Sequence, residues 1–129
     1  MSRLEDFVNF QDVEQMETEI FINERLGKFK VKPLTVTKHN EFRQRCMTRN
    51  RKGEISTDLG KFNLLVISEQ VIDPNFSNAE FLQKTGCQNA REFIERKLLS
   101  GEIMEIANKI LEISGFDNDI ADKVEEAKN

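Results

Sequence analysis

The sequence of 129 residues contains no Trp and no Tyr, one His, two Cys and two Pro. Each shortage removes a class of chemistry. The single histidine, His39, leaves no histidine cluster for a metal. Any Ser/His/Asp or Cys/His catalytic set would have to use it, and the sequence supports no nucleophile beside it. It reads as a surface residue. Cys46 and Cys87 are too few and too far apart for a disulfide framework. Both lie among apolar residues and read as buried, reduced thiols. No glycine-rich phosphate loop is present. Asp117-Asn-Asp119 with Asp122 has the acids of a calcium loop but lacks its glycine and spaced glutamate, so caps and a solvated face are expected. No apolar run approaches about twenty residues and no leader pattern opens the chain, which points to the cytoplasm. No enzyme activity, cofactor or metal is expected.

What is present is phenylalanine and charge. Ten Phe supply bulk without a polar handle, which suits core and contact anchors better than ligand-orienting hydrogen bonds. The net charge of -4 disfavours polyanions, but it is unevenly spread. Between Lys38 and Lys52, six basic residues (Lys38, Arg43, Arg45, Arg49, Arg51, Lys52) face only Glu41. From Phe116 to the end, five acids meet two lysines. A basic run is commonly a solvated face. The alternative is a surface that meets acidic groups on a partner or on the next subunit, and a head-to-tail contact of Arg43, Arg45, Arg49, Arg51 and Lys52 with the acidic tail would support a weak homo-oligomer.

The patterning predicts one α+β domain over residues 1–129, mostly helical, with one N-terminal β-hairpin followed by a bundle of five or six short helices. Ser2-Arg-Leu-Glu5 has capping-box spacing ahead of Leu4, Phe7 and Val8, so residues 1–17 are either flexible or a separately docked short helix. Thr18–Ile22 and Lys28–Pro33 form the hairpin, with lysines alternating against Phe29 and Val31, and with Glu17 and Glu19 across from them. That hairpin needs helices over its apolar face, or strands from a neighbouring copy. Thr37 is expected to cap a helix reaching about Asn50, with Phe42, Cys46 and Met47 inward, followed by a polar loop Arg49–Glu54. Asp58 caps the next helix, whose core run is Phe62, Leu65, Val66 and Val71, widened by Leu64 and Ile67 so that most sides are buried, and Pro74 ends it. Capping boxes at Ser77–Glu80 and Asn89–Glu92 start two more helices, the first stopping at Gly86. Ser100-Gly101 precedes the longest helix, Glu102 to Ser114, with Gly115 as its left-handed cap.

After Gly115, Phe116, Ile120 and Val124 are the only large apolar residues, and the last two are spaced i, i+4. A segment so short does not hold a helix alone in water, so it docks on its own domain, on another copy, or on a partner. Phe116, Ile120 and Val124 are therefore the candidate partner-binding residues. Packing onto the domain's own core is the equal alternative.

Three groups of motifs carry a family resemblance. The first is Thr48-Arg-Asn-Arg-Lys-Gly53 with Gly60-Lys-Phe-Asn63 and Val71-Ile-Asp-Pro-Asn-Phe76. The second is Lys84-Thr-Gly-Cys-Gln88 with Leu98-Leu-Ser-Gly-Glu-Ile103, and the third is Ser114-Gly-Phe-Asp-Asn-Asp-Ile120 ending Val124-Glu-Glu-Ala-Lys-Asn129. Together they resemble the XkdN-like tail assembly chaperones of long-tailed phages and of prophages in Gram-positive bacteria. The resemblance implies a non-enzymatic chaperone that binds the tape measure protein while the tail tube is built. It implies action in the bacterial host cytoplasm and absence from the mature virion. It also implies a second, longer form made by frameshifting, with which Lys128-Asn129 is compatible. The rival readings are a small nucleic-acid-binding protein using Arg43–Lys52, and a structural tail component. The acidic total and the lack of Tyr and Trp for base stacking stand against the first, and the small strand content against the second.

Overall fold

The computed structural model describes residues 3–116. The chain opens with two 3-10 turns, Arg3–Phe7 and Val13–Gln15, neither of which buries a residue. Strands β1 (Thr18–Asn23) and β2 (Gly27–Val31) then pair antiparallel, with Glu19 opposite Lys30 and Ile20 opposite Phe29. Ile20, Ile22, Phe29 and Val31 point into the core, while Glu17 reaches Lys30 at 3.9 Å on the wet face. The alternation in the sequence thus sets the register.

The hairpin is completed from within the chain. Residues Val71–Asp73 leave helix geometry and add β5 to β2, giving a three-stranded sheet ordered β1-β2-β5. The sequence had placed Val71 in the preceding helix. Helix α2 (Leu59–Gln70) stops well short of the Asp73-Pro74 end expected from the sequence, and Gln70 turns its side chain back to the hairpin. Its Nε2 donates to the carbonyls of Lys32 at 3.0 Å and Pro33 at 3.1 Å, and its own carbonyl accepts from the Lys32 N–H at 2.9 Å. A buried amide whose Nε2 donates twice joins sheet to helix at this corner.

Helix α1 (Val36–Arg45) starts two residues earlier than the sequence suggested, capped by Thr35, whose Oγ1 accepts from the Lys38 N–H at 3.1 Å. It also ends earlier, at Arg45. Met47–Arg49, expected at the end of that helix, and Ile55–Thr57 form a second antiparallel hairpin, β3 and β4, on either side of the expected polar loop. Met47 is consequently exposed and not in the core. Asn50 organises the turn: its Oδ1 accepts from the N–H groups of Lys52 and Glu54, both at 2.9 Å, and Gly53 adopts φ +84°. That positive φ is what a glycine permits at no steric cost.

Helices α2, α3 (Ala79–Thr85), α4 (Ala90–Lys97) and α5 (Ser100–Ile113) pack behind the sheet. Asp58 and Asn89 cap α2 and α4 as the sequence indicated, accepting from Lys61 and Glu92 N–H groups. For α3 the cap is Asn78, one residue after the expected Ser77. Ile67, Ile94, Ile106 and Ile110 are fully enclosed, and Phe76 gathers Phe29, Phe81 and Phe93 around it at 5.4–6.3 Å between ring centres. Helix α5 begins at Ser100, two residues before the predicted Glu102. Glu102 is 5% exposed and accepts from the Leu99 N–H at 2.8 Å, from Asn23 at 3.0 Å and from Arg25 at 2.9 and 3.0 Å. These bonds hold its carboxyl down to about 2, the Arg25 guanidinium acting most strongly. The turn of the first hairpin is thereby fastened to the start of the last helix.

Candidate partner-binding cleft

Where α5 ends decides what surface the protein presents. Ser114 Oγ accepts from the Leu34 N–H at 2.8 Å and donates to the Ile110 carbonyl at 2.6 Å, so the end of α5 lies against the start of α1. Gly115 follows at φ +96°, its N–H donating to Glu112 and the Phe116 N–H to Leu111, both at 3.0 Å. This is the paired bonding of a Schellman cap, and it turns the chain sharply. Phe116 then lies on His39 of α1, ring centres 4.5 Å apart and nearly parallel. His39 in turn meets the edge of Phe62 of α2 at 5.7 Å. The lone histidine is therefore half-buried in an aromatic row, not a simple surface residue. Burial lowers its pKa, and Arg43 one turn away lowers it further, so the neutral ring is favoured.

Beside this row opens a cleft of about 310 Å³ lined by His39, Arg43, Thr57, Leu59 and Phe62. Its rim is apolar and wet at once. Leu59 is 67% exposed at the first position of α2, and Val36, one turn before His39, is 79% exposed. The second hairpin extends the same face. Thr57 lines the cleft, and side chains alternate along a strand, so Ile55 shares its side. Met47 and Arg49 are the cross-strand partners of Thr57 and Ile55 and share that face too. Met47 and Ile55 are both exposed. The hairpin is anchored by the Asp58 N–H donating to the Cys46 carbonyl at 2.8 Å. Cys46 itself is fully enclosed, and burial pushes its thiol above the usual value.

The five basic residues singled out in the sequence lie on α1 and the second hairpin, and one of them, Arg43, lines this cleft. Arg45 ends α1, Arg49 ends β3, and Arg51 and Lys52 form the hairpin turn. All five are exposed, and among the described residues none forms an ion pair within the chain. Phe116 lies against His39 of the cleft wall, so one residue of each predicted group, Phe116 and Arg43, comes to this surface. Ile120 and Val124 lie outside the described residues. Leu59, Val36, Met47 and Ile55 were not legible as site residues. Their only signal was an apolar residue at a cap or loop position, which sequence reasoning assigns to the core or passes over. No group of three or more His, Cys, Asp or Glu able to hold a metal occurs among the described residues. No helix there is long and apolar enough to cross a membrane.

The crystal structure of the protein YqbN superposes with a TM-score of 0.66, at 24% identity, over 91% of this chain and 99% of that one. That likeness establishes the class, an α+β domain with a three-stranded sheet backed by helices. In sequence, residues 4–128 match the family of phage XkdN-like tail assembly chaperone proteins. The chain belongs to that family. YqbN of Bacillus subtilis (strain 168) is 30% identical over 135 residues, covering 95% of this chain and 91% of its own. The phage-like element PBSX protein XkdN of the same strain is 31% identical over 106 residues, covering 78% and 72% respectively.

Proposed function

We propose that this tail assembly chaperone binds the tape measure protein of its phage while the tail is built, and that the α1–α2 cleft is the contact surface. The observation that supports this is the combination of exposed Leu59, Val36, Met47 and Ile55 with Arg43 and Arg49, which have no acidic partner among the described residues. An elongated helical partner offers apolar ridges with charged flanks, and a groove of this kind takes such a helix by its i, i+3, i+4 positions. The work is done by covering apolar surface and involves no bond making. On this reading the protein acts in the host cytoplasm and is left behind when the particle is complete.

The test is co-expression of the full chain with the product of the long helical reading frame encoded nearby in the phage genome. Co-purification that is lost in Leu59→Asp supports the reading. Failure of the wild-type chain to retain that product overturns it. Purified particles should lack the chaperone, and its presence there at stoichiometric levels would make it a structural tail component instead. The exposed arginines also suit a nucleic-acid backbone. A gel shift with duplex or single-stranded DNA that disappears as salt rises would favour that second reading.

A further inference from the structure

We propose that the acidic C-terminal segment, residues 117–129, docks in the α1–α2 cleft of its own chain and competes there with the partner. The proposal rests on the reading of that cleft as the partner surface only for the competition. The docking itself stands on four observations.

The first is continuity. The last described residue, Phe116, already lies on His39, which is a wall of the cleft. The chain therefore enters the segment at the cleft's edge. Four further residues, at no more than about 3.6 Å each, put Ile120 within about 14 Å of that wall. The second is direction. The Schellman cap at Gly115 folds the chain back toward Leu111 and so off the axis of α5. The third is the apolar match. Ile120 and Val124 are spaced i, i+4, and the cleft offers exposed Leu59 and Val36 to a narrow stripe of that kind. The fourth is charge. The segment carries Asp117, Asp119, Asp122, Glu125 and Glu126 against Lys123 and Lys128, while Arg43 in the cleft lining and Arg49 on the adjoining hairpin lack ion-pair partners among the described residues.

The tether makes the contact effective and also keeps it reversible. A directly attached segment experiences an effective concentration in the millimolar range, so a contact too weak to form between separate molecules is populated within one. Two apolar residues and exposed charges do not make it permanent. A partner must then displace the segment, and its apparent affinity falls by the fraction of chains whose cleft is open. The head-to-tail contact between copies predicted from charge alone uses the same groups, and the position of Phe116 favours the contact within one chain.

The experiment uses the full chain and the full-length variant Ile120→Asp/Val124→Asp, compared by two-dimensional NMR across a range of protein concentration and salt. Docking within the chain predicts shift changes in the variant confined to residues around His39, Leu59 and Phe62. These changes must be independent of protein concentration and reproduced in wild type by raised salt. Unchanged spectra overturn the proposal. Changes that grow with protein concentration also overturn it, in favour of a contact between copies. Binding of the tape measure product separates this result from the functional reading. If docking is seen, the variant should bind that product several-fold more tightly than wild type, and equal or weaker binding removes the competition. If Leu59→Asp leaves the product's binding intact while docking is seen, the functional reading of the cleft fails and the docking stands.

Discussion

Leu59 offers a clean separation between binding and folding. It is the first residue of α2 and remains 67% exposed, so little of it contributes to the core. Full burial of a leucine side chain is worth about 1.5–3 kcal/mol. Covering the exposed two thirds in a complex is then worth about 1–2 kcal/mol, or about 5- to 30-fold in Kd. Leu59→Ala should lose about that much affinity for the tape measure product, measured by calorimetric or anisotropy titration. Leu59→Asp should lose more, because a carboxylate would be taken out of water against Phe62. Neither variant should unfold the protein, since surface changes of this kind usually fall within about 0.5 kcal/mol. Aspartate in the first turn of a helix even interacts favourably with the helix dipole. A lower affinity with an unchanged Tm is the expected pair of results. An unchanged Kd for both variants would refute the assignment of the cleft, and a fall in Tm would show that Leu59 contributes to the fold in a way its exposure denies.

Other expectations follow from the packing. Ile106→Ala empties a fully enclosed position and should cost about 2–5 kcal/mol in denaturant unfolding, whereas Met104→Ala, two residues earlier and largely exposed, should cost under about 0.5 kcal/mol. Glu102 has its pKa lowered from 4.5 to about 2 in the fold, so it binds its proton more weakly folded than unfolded. The stability it contributes is complete above about 4.5 and is lost as pH falls toward about 2, and Glu102→Gln should lower Tm at neutral pH and flatten the profile across that window. Gly115→Ala adds a side chain that meets no neighbour but must sit at φ +96°, so a cost of about 1–2 kcal/mol is expected from backbone conformation alone. A cost near zero would mean the Schellman turn is not kept.

The sequence was most informative where one local interaction decides the structure. The alternation of Lys28, Lys30 and Lys32 with Phe29 and Val31 fixed the first hairpin, and Asp58, Asn89, Gly86 and Gly115 marked helix ends that the structure keeps. It was least informative where two similar residues compete. Thr35 and Thr37 both suit a cap, as do Ser77 and Asn78, and only tertiary position chooses between them. The strands of three residues were invisible because pairing, not composition, makes them: Met47-Thr-Arg49 has no apolar alternation, and Val71 continued an apolar helical pattern until Gln70 was claimed by Lys32 and Pro33. Of the cleft, Arg43 and Phe116 were legible because charge and a post-cap aromatic stand out locally. Its apolar wall was not, since nothing in the chain says that Leu59 faces outward while Phe62 faces in.

The outer strand β1 raises a separate matter, which is how crowded copies of this protein avoid zipping together. Phe21 presents an exposed ring there, but Lys109 from α5 donates to its main-chain carbonyl, and Glu19 lies two residues back along the strand. An ammonium lodged at a sheet border, with a carboxylate nearby, discourages a second sheet from annealing on that side. Lys109→Ala, which leaves the border bare, should make concentrated solutions scatter light where the parent chain stays clear.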